Sequence, residues 1–531
     1  MDKMQIKIGS RGSDLALWQA HHVKDRLTQA GADVSITIFK TQGDKIQHLS
    51  LDKLEGKGFF TKELEDALLN HEIDLAVHSH KDLPTLSPPG LMISAVSERE
   101  DPSELLLIRK ESVDTTQYLS FKKNAILGTS SARRKVQMLE FRDDIVLKDI
   151  RGNVPTRIQK LREGQFDAIL LARAGVERLK LDLSDLHVIV LNPHTFVPAP
   201  AQGVLALQIR ESDEVLNQFL KQVIHQEPVF NSIGIERKIL NLFEGGCHMP
   251  LGAYVEHKDN TYKLWAAKAE HDAELPQRLY LESSTYEGLA ERAVNLFNST
   301  ILKNNKIFIS QDDKNDSLLK KQLSIESAEL LYNSGIEIKE LKFEYTDFNA
   351  IDILFFNSKN AVKYFFNQVD AIDLNVQYAA FGEVTATEIL KYTSDVHFIG
   401  TSSDPDLVAS EFNAAYKSSK RILFPCSNKS LKSVSSVLKN KHQIIEVEVY
   451  DTVIKPEMNL PEADVYVMTS PSNVQAFSNA LKTTNNKLIV SIGPSTAKAL
   501  QDINVPCHAI AATADDLGIF HAIYLAKANQ I

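Results

Sequence analysis

Apolar positions recur with a period of two in some stretches of the chain and of three to four in others, and the two kinds of stretch alternate as in an α/β protein. Residues 4–8 (MQIKI) alternate like a strand, and GSRGSDLALWQA then leads through small residues into an amphipathic helix. The same order of strand, polar turn and helix recurs at AILGTSSARRKVQ and at IVLKDIRGNVPTRIQKL. Such helix starts offer free N–H groups and a positive dipole end, so these turns are candidate anion sites.

The first 300 residues are predicted to form three α/β domains. The stretch VPAPAQGVLALQIR (197–210) returns as a strand after a block of alternating strands and helices. We therefore expect the chain to leave one domain, build a second and cross back, with a ligand held between the two. The predicted bounds are 1–101 with 197–221 for domain 1, 102–196 for domain 2, and 222–302 for a smaller domain 3.

The rest of the chain, after a polar linker at 303–305, carries an internal duplication. FFNSKNAVKYFF is similar to MTSPSNVQAFSN, and FGEVTATEIL is similar to IGPSTAKAL, so two similar α/β lobes are expected. Ser358 and Ser470 each follow a strand and precede a helix, where a serine either caps the helix or binds a ligand. The predicted bounds are 306–342 with 452–531 for lobe 1 and 343–451 for lobe 2.

Composition narrows the function classes. At 531 residues the chain is long enough for several domains, and its net charge of -10 argues against a general nucleic-acid binder. The start, MDKMQIKIGSRGSD, has no long apolar run behind a basic patch, and no later window has the length of a membrane span, which predicts a cytoplasmic location. The three cysteines lie far apart, which excludes a disulfide framework and a zinc spacing, and no metal site is predicted.

Two residues are candidates for a catalytic or ligand-binding role. Cys247 follows the amphipathic helix ERKILNLF and a paired glycine, so it is expected on a loop, either as a nucleophilic thiolate or as a small buried apolar side chain. Asp82 follows the buried strand IDLAVHS, which cannot continue through Pro84. Ligands bind at the carboxyl ends of strands in open α/β sheets, so Asp82 is a better candidate than most acidic residues of the chain.

Arginines lie beside the polar turns of predicted domain 2. Any one of them could lie on a solvated helix face. The joint placement of Arg133, Arg134, Arg151 and Arg157 beside two predicted helix starts is more specific. Because guanidinium groups bind carboxylates in bidentate geometry, we infer a cleft that holds several carboxylates.

Nine motifs follow one another over residues 4–300: GSRGSDLALWQA, GKGFFTKELE, LAVHSHKDLP, SEREDP, GTSSARRKVQ, RGNVPTRIQKL, DAILLARAGVERL, PAPAQG and EGGCHMPLGA. In this order they resemble hydroxymethylbilane synthase, also called porphobilinogen deaminase. The resemblance implies a three-domain transferase with two lobes like those of periplasmic binding proteins and a small α/β domain. It also implies a dipyrromethane cofactor attached covalently through Cys247, and head-to-tail addition of four porphobilinogen units with loss of ammonia.

The same resemblance implies roles for individual residues. The implied catalytic residues are Asp82, Lys81 and Arg11. The implied cofactor-binding residues are Cys247, Ser79, Lys81, Asp82, Thr129, Ser130, Arg133, Arg134 and Arg157. The implied substrate-binding residues are Arg11, Ser13, Lys57, Phe60, Arg151, Arg157 and Arg178.

The last 230 residues resemble uroporphyrinogen-III synthase, a two-lobed α/β lyase. The likeness is carried by FFNSKNAV, FGEVTAT, RILFPCSNKS, EVEVYDTV, MTSPSNVQAF and IGPSTAKAL, although Ser310-Gln311-Asp312 replaces the usual T-R-P. It implies that Tyr450 assists departure of the substrate hydroxyl group, and that Ser358, Ser470 and Thr496 bind substrate. The first half would then make hydroxymethylbilane and the second would close it to uroporphyrinogen III.

Two alternatives remain open from the residues. The C-terminal half could be inactive, which would leave the deaminase alone. The chain could instead be a non-catalytic two-lobed anion-binding protein, although Asp82 in a carboxylate-binding cleft argues against that class. In the preferred interpretation the chain is a monomer that acts on small-molecule substrates, without nucleic-acid or membrane partners.

Overall fold

The computed structural model describes residues 3–40, 61–246, 249–272, 274–314, 317–344, 347–370, 376–402, 404–430, 432–455, 458–484 and 486–531. The chain divides into two compact units, which we call unit 1 (Met1–Thr300) and unit 2 (Ile301–Ile531). In the described ranges, no helix combines the length and the apolar character that crossing a membrane requires.

The described residues of unit 1 form three sheets and the helices that cover them. Its strands are β1 (Gln5–Arg11), β2 (Asp33–Phe39), β3 (Leu75–Ser79), β4 (Leu91–Val96), β5 (Glu104–Arg109), β6 (Ile126–Gly128), β7 (Val146–Lys148), β8 (Ala168–Ala172), β9 (Leu186–Leu191), β10 (Leu205–Arg210), β11 (Leu251–Lys258), β12 (Thr261–Lys268) and β13 (Gln277–Ser283). Its helices are α1 (Asp14–Gln29), α2 (Lys62–Leu69), α3 (Ala132–Phe141), α4 (Val154–Arg162), α5 (Arg173–Arg178), α6 (Glu214–Val223), α7 (Glu227–Leu242) and α8 (Leu289–Phe297). Short 3₁₀ turns lie at His80–Asp82, Lys110–Ser112 and Tyr118–Ser120.

The first sheet has the strand order β2-β1-β3-β10-β4. Strands β1, β2 and β3 are parallel, whereas β10 arrives from the far end of unit 1 and pairs antiparallel with β3 and β4. Helix α1 buries Ala20, Val23 and Leu27 against this sheet, in agreement with its apolar period of three to four. The predicted return strand is therefore part of the first sheet.

The second sheet has the order β7-β6-β8-β5-β9. Strand β5 (ELLLIR) is buried along nearly its whole length and pairs antiparallel with both β8 and β9. Strands β6, β7 and β8 are parallel to one another, so the turns that follow them lie at one edge of the sheet. This edge carries the polar turns singled out in the sequence, because each turn leads from a strand into a helix.

The third sheet, β11-β12-β13, is antiparallel, and α7 and α8 pack against it. A fully buried ion pair ties this sheet to the second domain, since Arg278 of β13 donates to Glu140 of α3 with a shortest N–O distance of 2.6 Å. A partly buried pair ties α7, which packs on this sheet, to the first domain, since Arg99 donates to Glu236 at 2.6 Å. Buried or partly buried ionic contacts therefore connect the three domains of unit 1.

In the described part of unit 2 the strands form two further sheets. Its strands are β14 (Lys306–Ile309), β15 (Glu329–Tyr332), β16 (Ile336–Glu340), β17 (Ile353–Phe356), β18 (Gln377–Ala380), β19 (Phe398–Ile399), β20 (Arg421–Ser427), β21 (Gln443–Ile454), β22 (Val465–Met468), β23 (Leu488–Ser491) and β24 (Ala509–Ile510). Its helices are α9 (Leu318–Ile325), α10 (Lys359–Phe366), α11 (Glu383–Ile389), α12 (Pro405–Ala415), α13 (Ser433–Leu438), α14 (Pro471–Ala476), α15 (Ser478–Leu481), α16 (Pro494–Asp502) and α17 (Asp516–Ala528). One 3₁₀ turn lies at Phe348–Ala350.

The lobes of unit 2 are sheets of related order, and their strands are parallel except for β16. Lobe 1 has the order β15-β14-β22-β23-β24, and lobe 2 has β16-β21-β20-β17-β18-β19. The expected bound of lobe 1 at residue 342 is wrong for β16, which lies in the sheet of lobe 2. Strand β16 pairs antiparallel with β21 from Ile336↔Ile454 to Glu340↔Tyr450, and such a long-range pairing cannot be read from local periodicity. The same pairing places 452–454 in lobe 2.

The predicted α/β fold class is confirmed, with a three-domain unit 1 and a two-lobed unit 2. The remaining domain bounds stay predictions.

Candidate active sites

Asp82 is the exposed residue of a turn that a helix of the third domain holds in place. Strand β3 ends at Ser79, and the chain continues through the 3₁₀ turn that contains Asp82. Arg237 of α7 donates to the carbonyl oxygens of His80 at 3.0 Å and Leu83 at 3.4 Å, and also to that of Pro84. The turn that presents Asp82 is thus fastened to the helix that precedes the segment containing Cys247.

Lys81, next to Asp82, begins a chain of hydrogen bonds that runs into the second domain. Its Nζ donates to Gln202 Oε1 at 3.1 Å, and Gln202 Nε2 donates to Pro102 O at 2.7 Å and to Glu104 Oε1 at 3.2 Å. Burial, together with the charges of Arg134 and Arg133, lowers the pKa of Lys81 to about 8 against the opposing effect of Asp82 and Glu104. The first two domains therefore meet at Gln202.

Glu104 at the start of β5 binds the two adjacent arginines of α3. Arg133 Nη2 donates to Glu104 Oε1 at 2.5 Å, and Arg134 Nη2 donates to Glu104 Oε2 at 2.7 Å. Burial would raise the pKa of Glu104, but the charges of Arg134 and Arg133 outweigh burial and hold that pKa at about 2. Two guanidinium groups and Lys81 thus surround one carboxylate, which leaves an excess of positive charge.

The two arginines retain part of their donor capacity. Arg133 Nη1 also donates to Val197 O at 2.9 Å, and Arg134 Nη1 donates to Leu170 O at 3.1 Å. Arg134 Nε is buried and has no hydrogen-bond partner in the described part of the chain. Because a buried N–H group without a partner is costly, this atom is a candidate donor to a bound ligand.

Arg157 and Arg178 add to the positive charge. Arg157 Nε donates to Gly152 O at 2.8 Å, and its pKa is lowered to about 10 by burial and by the charges of Arg134 and Arg151, against the attraction of Asp82. Arg178 Nη2 donates to Gly203 O at 2.8 Å, while Arg178 Nε is buried without a partner among the described residues. Four of the predicted arginines are therefore buried or half-buried cations near the Asp82 turn.

Gly203, which accepts from Arg178, has a conformation that requires glycine. Its φ is +90°, and a Cβ at this position would overlap the carbonyl oxygen of Glu100. The glycine of the PAPAQG motif therefore lets the crossing segment approach residue 100 closely.

The predicted hydroxyl ligands have local structural partners. Ser13 caps α1 by accepting from Ala16 N at 3.4 Å, and Ser79 accepts from Gln19 Nε2 at 2.9 Å. Ser130 donates to Ile150 O at 2.8 Å and accepts from Ile150 N at 3.0 Å, and Thr129 accepts from Ser131 N at 3.3 Å. Their ligand roles stay predictions.

The structure locates the other predicted residues of unit 1 only in part. Arg11 ends β1, and Arg151 lies in the turn between β7 and α4. Cys247, Lys57 and Phe60 lie outside the described residues.

Sequence reasoning missed Glu104, Gln202 and Arg237. Glu104 could have been noticed as an acidic residue at the start of an otherwise apolar run, ELLLI. Gln202 belongs to the quoted PAPAQG motif, but its link between Lys81 and Glu104 depends on tertiary structure. Arg237 gave no signal, because its acceptors are backbone carbonyl groups.

In unit 2 the structure brings Ser358 and Tyr450 together. Ser358 caps α10 by accepting from Ala361 N at 3.2 Å, and its Oγ lies 3.2 Å from the hydroxyl oxygen of Tyr450. Burial raises the pKa of Tyr450, and the hydrogen bond with Ser358 partly opposes that effect. Tyr450 is therefore a protonated hydroxyl group at neutral pH.

Ser470 occupies the equivalent position in lobe 1, and its hydroxyl group is oriented by Asn473. Asn473 N and Asn473 Nδ2 each donate to Ser470 Oγ at 3.1 Å, and Asn473 Nδ2 also donates to Ser310 O at 2.8 Å. Because Ser470 Oγ accepts these bonds, its own hydrogen is left to donate elsewhere. Ser310, the first of the three residues that replace the usual T-R-P, thus belongs to this network.

Thr496 is buried near the start of α16, and its Oγ1 has no hydrogen-bond partner in the described ranges. Thr496 and Ser470 follow neighbouring parallel strands, β23 and β22, so both lie at the carboxyl edge of the lobe 1 sheet. That edge is where open α/β sheets bind ligands. Unit 1 therefore offers a cation-rich site beside the exposed carboxylate of Asp82. Unit 2 offers a site of neutral hydroxyl groups.

Comparison with known proteins agrees with this division. Residues 6–218 match the family model "Porphobilinogen deaminase, dipyromethane cofactor binding domain". A porphobilinogen deaminase of Nitratiruptor sp. is 40% identical over 291 residues, which cover 54% of this chain and 91% of that protein. One of Sulfurimonas denitrificans is 44% identical over 253 residues, which cover 47% and 78%.

The chain belongs to the porphobilinogen deaminase family. Residues 317–520 match a second family model, "Uroporphyrinogen-III synthase HemD". A solved uroporphyrinogen-III synthetase from Helicobacter pylori is 21% identical, with a TM-score of 0.31, and the match covers 41% of this chain and 96% of that one. The two family models show that the chain is a fusion of a deaminase with a HemD synthase region, a bifunctional enzyme of tetrapyrrole biosynthesis.

Proposed function

We propose that unit 1 extends a dipyrromethane primer held on Cys247 by four porphobilinogen units and releases hydroxymethylbilane, which unit 2 closes to uroporphyrinogen III. The observation that carries the first step is the network from Lys81 through Gln202 to Glu104, Arg133 and Arg134, beside the exposed Asp82. The family model matched by unit 1 describes a dipyrromethane-binding domain, and attachment through Cys247 is our proposal.

The described residues fit a cofactor rich in carboxylates. Arg134 Nε and Arg178 Nε are buried N–H groups without partners in the described part of unit 1, and the surrounding charge is positive. Charge-assisted bonds to acetate or propionate groups would satisfy both atoms. The bound cofactor would supply two linked pyrroles as the primer. We propose that Arg133, Arg134 and Arg157 hold it, with Ser79, Thr129 and Ser130 as hydroxyl partners.

Asp82 is proposed to stabilise the substrate as ammonia leaves. Departure of ammonia from porphobilinogen leaves an electron-poor pyrrole, and positive charge develops around its nitrogen. A fixed carboxylate can accept the N–H bond and stabilise that charge, whereas an amide could accept the bond without supplying charge. Arg237 supports this role because it fixes the turn on which Asp82 lies.

The arginines are proposed to bind the carboxylates that accumulate during elongation. Each added porphobilinogen brings an acetate and a propionate, whose charges repel one another. Arg11, Arg151, Arg157 and Arg178 would offset this repulsion, with Ser13, Lys57 and Phe60 as further substrate contacts. A carboxylate beside Arg157 would also reverse the lowering of its pKa.

In unit 2, Tyr450 is proposed to donate a proton to the departing hydroxyl group of hydroxymethylbilane. Its burial keeps the phenol protonated, and Ser358 lies at hydrogen-bond distance to orient it. Ser470 and Thr496 are proposed to bind the substrate through their hydroxyl groups. We further propose that the chain acts in the cytoplasm as a monomer, without nucleic-acid or membrane partners.

Analysis of the isomers formed from porphobilinogen tests the proposal. Formation of uroporphyrinogen III supports both activities, and formation of uroporphyrinogen I alone would mean that only the deaminase is active. Formation of neither product would favour the non-catalytic anion-binding protein. A control with Asp82→Asn should form far less of either isomer, because the charge that stabilises the reacting pyrrole is absent.

A further inference from the structure

The two lobes of unit 2 correspond strand by strand. The order β15-β14-β22-β23-β24 in lobe 1 matches β21-β20-β17-β18-β19 in lobe 2, and every pairing within these two runs is parallel. Ser470 follows β22 as Ser358 follows β17. Strand β15 is therefore the counterpart of β21, which carries Tyr450.

Strand β15 also carries a tyrosine at its carboxyl end. Tyr332 is its last residue and pairs with Ile309, the last residue of β14. Tyr450 likewise pairs with Ser427, the last residue of β20. The two tyrosines therefore occupy corresponding places at the carboxyl edges of their sheets, where open parallel sheets bind ligands.

The hydroxyl groups of the two tyrosines differ in their contacts. The hydroxyl of Tyr450 lies 3.2 Å from Ser358, whereas the hydroxyl oxygen of Tyr332 is buried and has no hydrogen-bond partner in the described structure. Burial and, to a smaller extent, the charges of Asp313 and Asp516 raise the pKa of Tyr332 to about 12. The phenol therefore stays protonated at neutral pH.

The acidic groups near Tyr332 already have partners. Asp313 accepts from Lys320 Nζ at 3.1 Å, and Asp516 accepts from Lys314 Nζ at 3.3 Å and from Ser317 Oγ at 2.5 Å. Both aspartates lie after the carboxyl ends of strands, Asp313 beyond β14 and Asp516 beyond β24. Since these contacts leave the hydroxyl of Tyr332 unsatisfied, the folded protein bears a cost that a ligand could remove.

We propose that Tyr332 is a further substrate-binding residue of the synthase, and that its hydroxyl group hydrogen-bonds to the linear tetrapyrrole from lobe 1. This inference rests on the proposed function of unit 2. A linear tetrapyrrole offers carboxylate oxygens as acceptors and pyrrole N–H groups as donors, and a phenol can bond to either. In lobe 1 Tyr332 thus corresponds to Tyr450 of lobe 2.

The test compares Tyr332→Phe with Tyr416→Phe in the full chain. Tyr416 lies just before β20, at the opposite edge of the lobe 2 sheet, so the control makes the same chemical change away from the site. The initial rate of uroporphyrinogen III formation is measured against the concentration of hydroxymethylbilane. Unfolding of each variant is followed in denaturant, and deaminase activity is assayed separately.

For Tyr332→Phe we expect kcat/KM to fall about fivefold or more, as for the loss of one hydrogen bond to substrate. The denaturation midpoint should be unchanged or higher, because no hydrogen bond of the free protein is removed. Tyr416→Phe should retain the wild-type kcat/KM. This combination distinguishes a substrate contact from a structural role, which would lower activity and stability together.

Three results would overturn the inference: an unchanged kcat/KM in Tyr332→Phe, a parallel loss of activity and stability, or an equal loss of activity in Tyr416→Phe. If the proposed synthase function of unit 2 is itself wrong, the result is distinguishable from these three. In that case the wild-type chain itself would form uroporphyrinogen I and no uroporphyrinogen III.

Discussion

Ser358 Oγ lies 3.2 Å from the hydroxyl oxygen of Tyr450, although 92 residues separate them in the chain. Ser358 begins α10 and Tyr450 lies on β21, so the contact depends on the fold of lobe 2. Since Ser358 can donate to the phenol oxygen, it can leave the hydrogen of Tyr450 for a substrate. The pair joins a residue predicted to bind substrate to one predicted to assist departure of its hydroxyl group.

Removing either hydroxyl group should slow formation of the type III isomer. We expect Tyr450→Phe to lower kcat by about 100-fold, within the range for a lost general acid. Ser358→Ala should lower it by only about 2- to 10-fold, as expected for one hydrogen bond. Both variants should make hydroxymethylbilane at the wild-type rate. Ser436→Ala, an exposed serine on α13, is the matched control, and equal rates in all variants would refute the assignment.

Arg237→Met should slow the deaminase without removing its cofactor. The change removes the donors to the carbonyl groups of His80, Leu83 and Pro84, so the Asp82 turn loses its anchor. We expect kcat to fall by roughly 10- to 100-fold, since small displacements of reacting groups are costly. Arg237→Lys should restore part of the rate.

Lys238→Met is the control for this prediction, because Lys238 lies on the same helix and makes an exposed ion pair with Glu291. Intact mass before each assay checks that the cofactor is present. A wild-type kcat in Arg237→Met would show that the turn needs no such anchor.

Glu104→Gln should destabilise unit 1. The change leaves Arg133 and Arg134 buried with one neutral acceptor in place of a carboxylate, which should cost about 3–5 kcal/mol of the free energy of unfolding. Glu111→Gln, in an exposed pair with Arg109, should cost at most about 1 kcal/mol. Denaturant unfolding of both variants measures the difference, and similar costs would contradict the structural role of Glu104.

The contribution of Glu104 to the free energy of unfolding should decrease as the pH falls. Its pKa is about 2 in the folded protein and has the ordinary value of 4.5 when the chain is unfolded. Ionised Glu104 therefore adds stability above pH 4.5, and this contribution is lost as the pH falls toward 2. The difference in unfolding free energy between wild type and Glu104→Gln should shrink over that window. A constant difference would contradict the assignment.

Titration of Lys81 should make the deaminase activity fall at alkaline pH. Because its pKa is lowered to about 8, the ammonium group is lost as the pH rises through this value, and bound carboxylates would move the midpoint upward. Activity should fall at or above pH 8 in the wild type. Lys81→Arg should shift the fall to higher pH, since a guanidinium keeps its charge. The exposed Lys110→Arg should have no effect, and an unmoved limit in Lys81→Arg would exclude Lys81 as its source.

The sheets of unit 1 could be predicted because their local patterns agree with their pairing. The sequence predicts that the segment 197–210 returns as a strand, and β10 does pair with β3 and β4. The sequence places residues 336–340 in lobe 1, whereas the structure places this strand in lobe 2, because its partner β21 lies more than one hundred residues further on. Periodicity predicts that a strand exists, but its neighbours depend on long-range contacts.

The residue types of the candidate site could be predicted from the sequence, whereas fewer of the contacts between these residues could be. Arginines beside helix starts indicated a carboxylate site, and the structure buries Arg133, Arg134 and Arg178. The sequence could not show that Glu104 occupies donors of the first two, because the ion pairs join β5 to α3. Nor could it show that Arg237 binds carbonyl groups, since backbone acceptors are present at every residue.

The most direct test of the central claim is the intact mass of the purified chain after incubation with porphobilinogen, compared with that of Cys247→Ser. The proposed attachment predicts that the wild type exceeds its sequence mass by two linked pyrroles or a longer chain of them. The serine variant should show the sequence mass alone. A wild type at its sequence mass, or an unchanged excess in Cys247→Ser, would contradict a primer held on that sulfur.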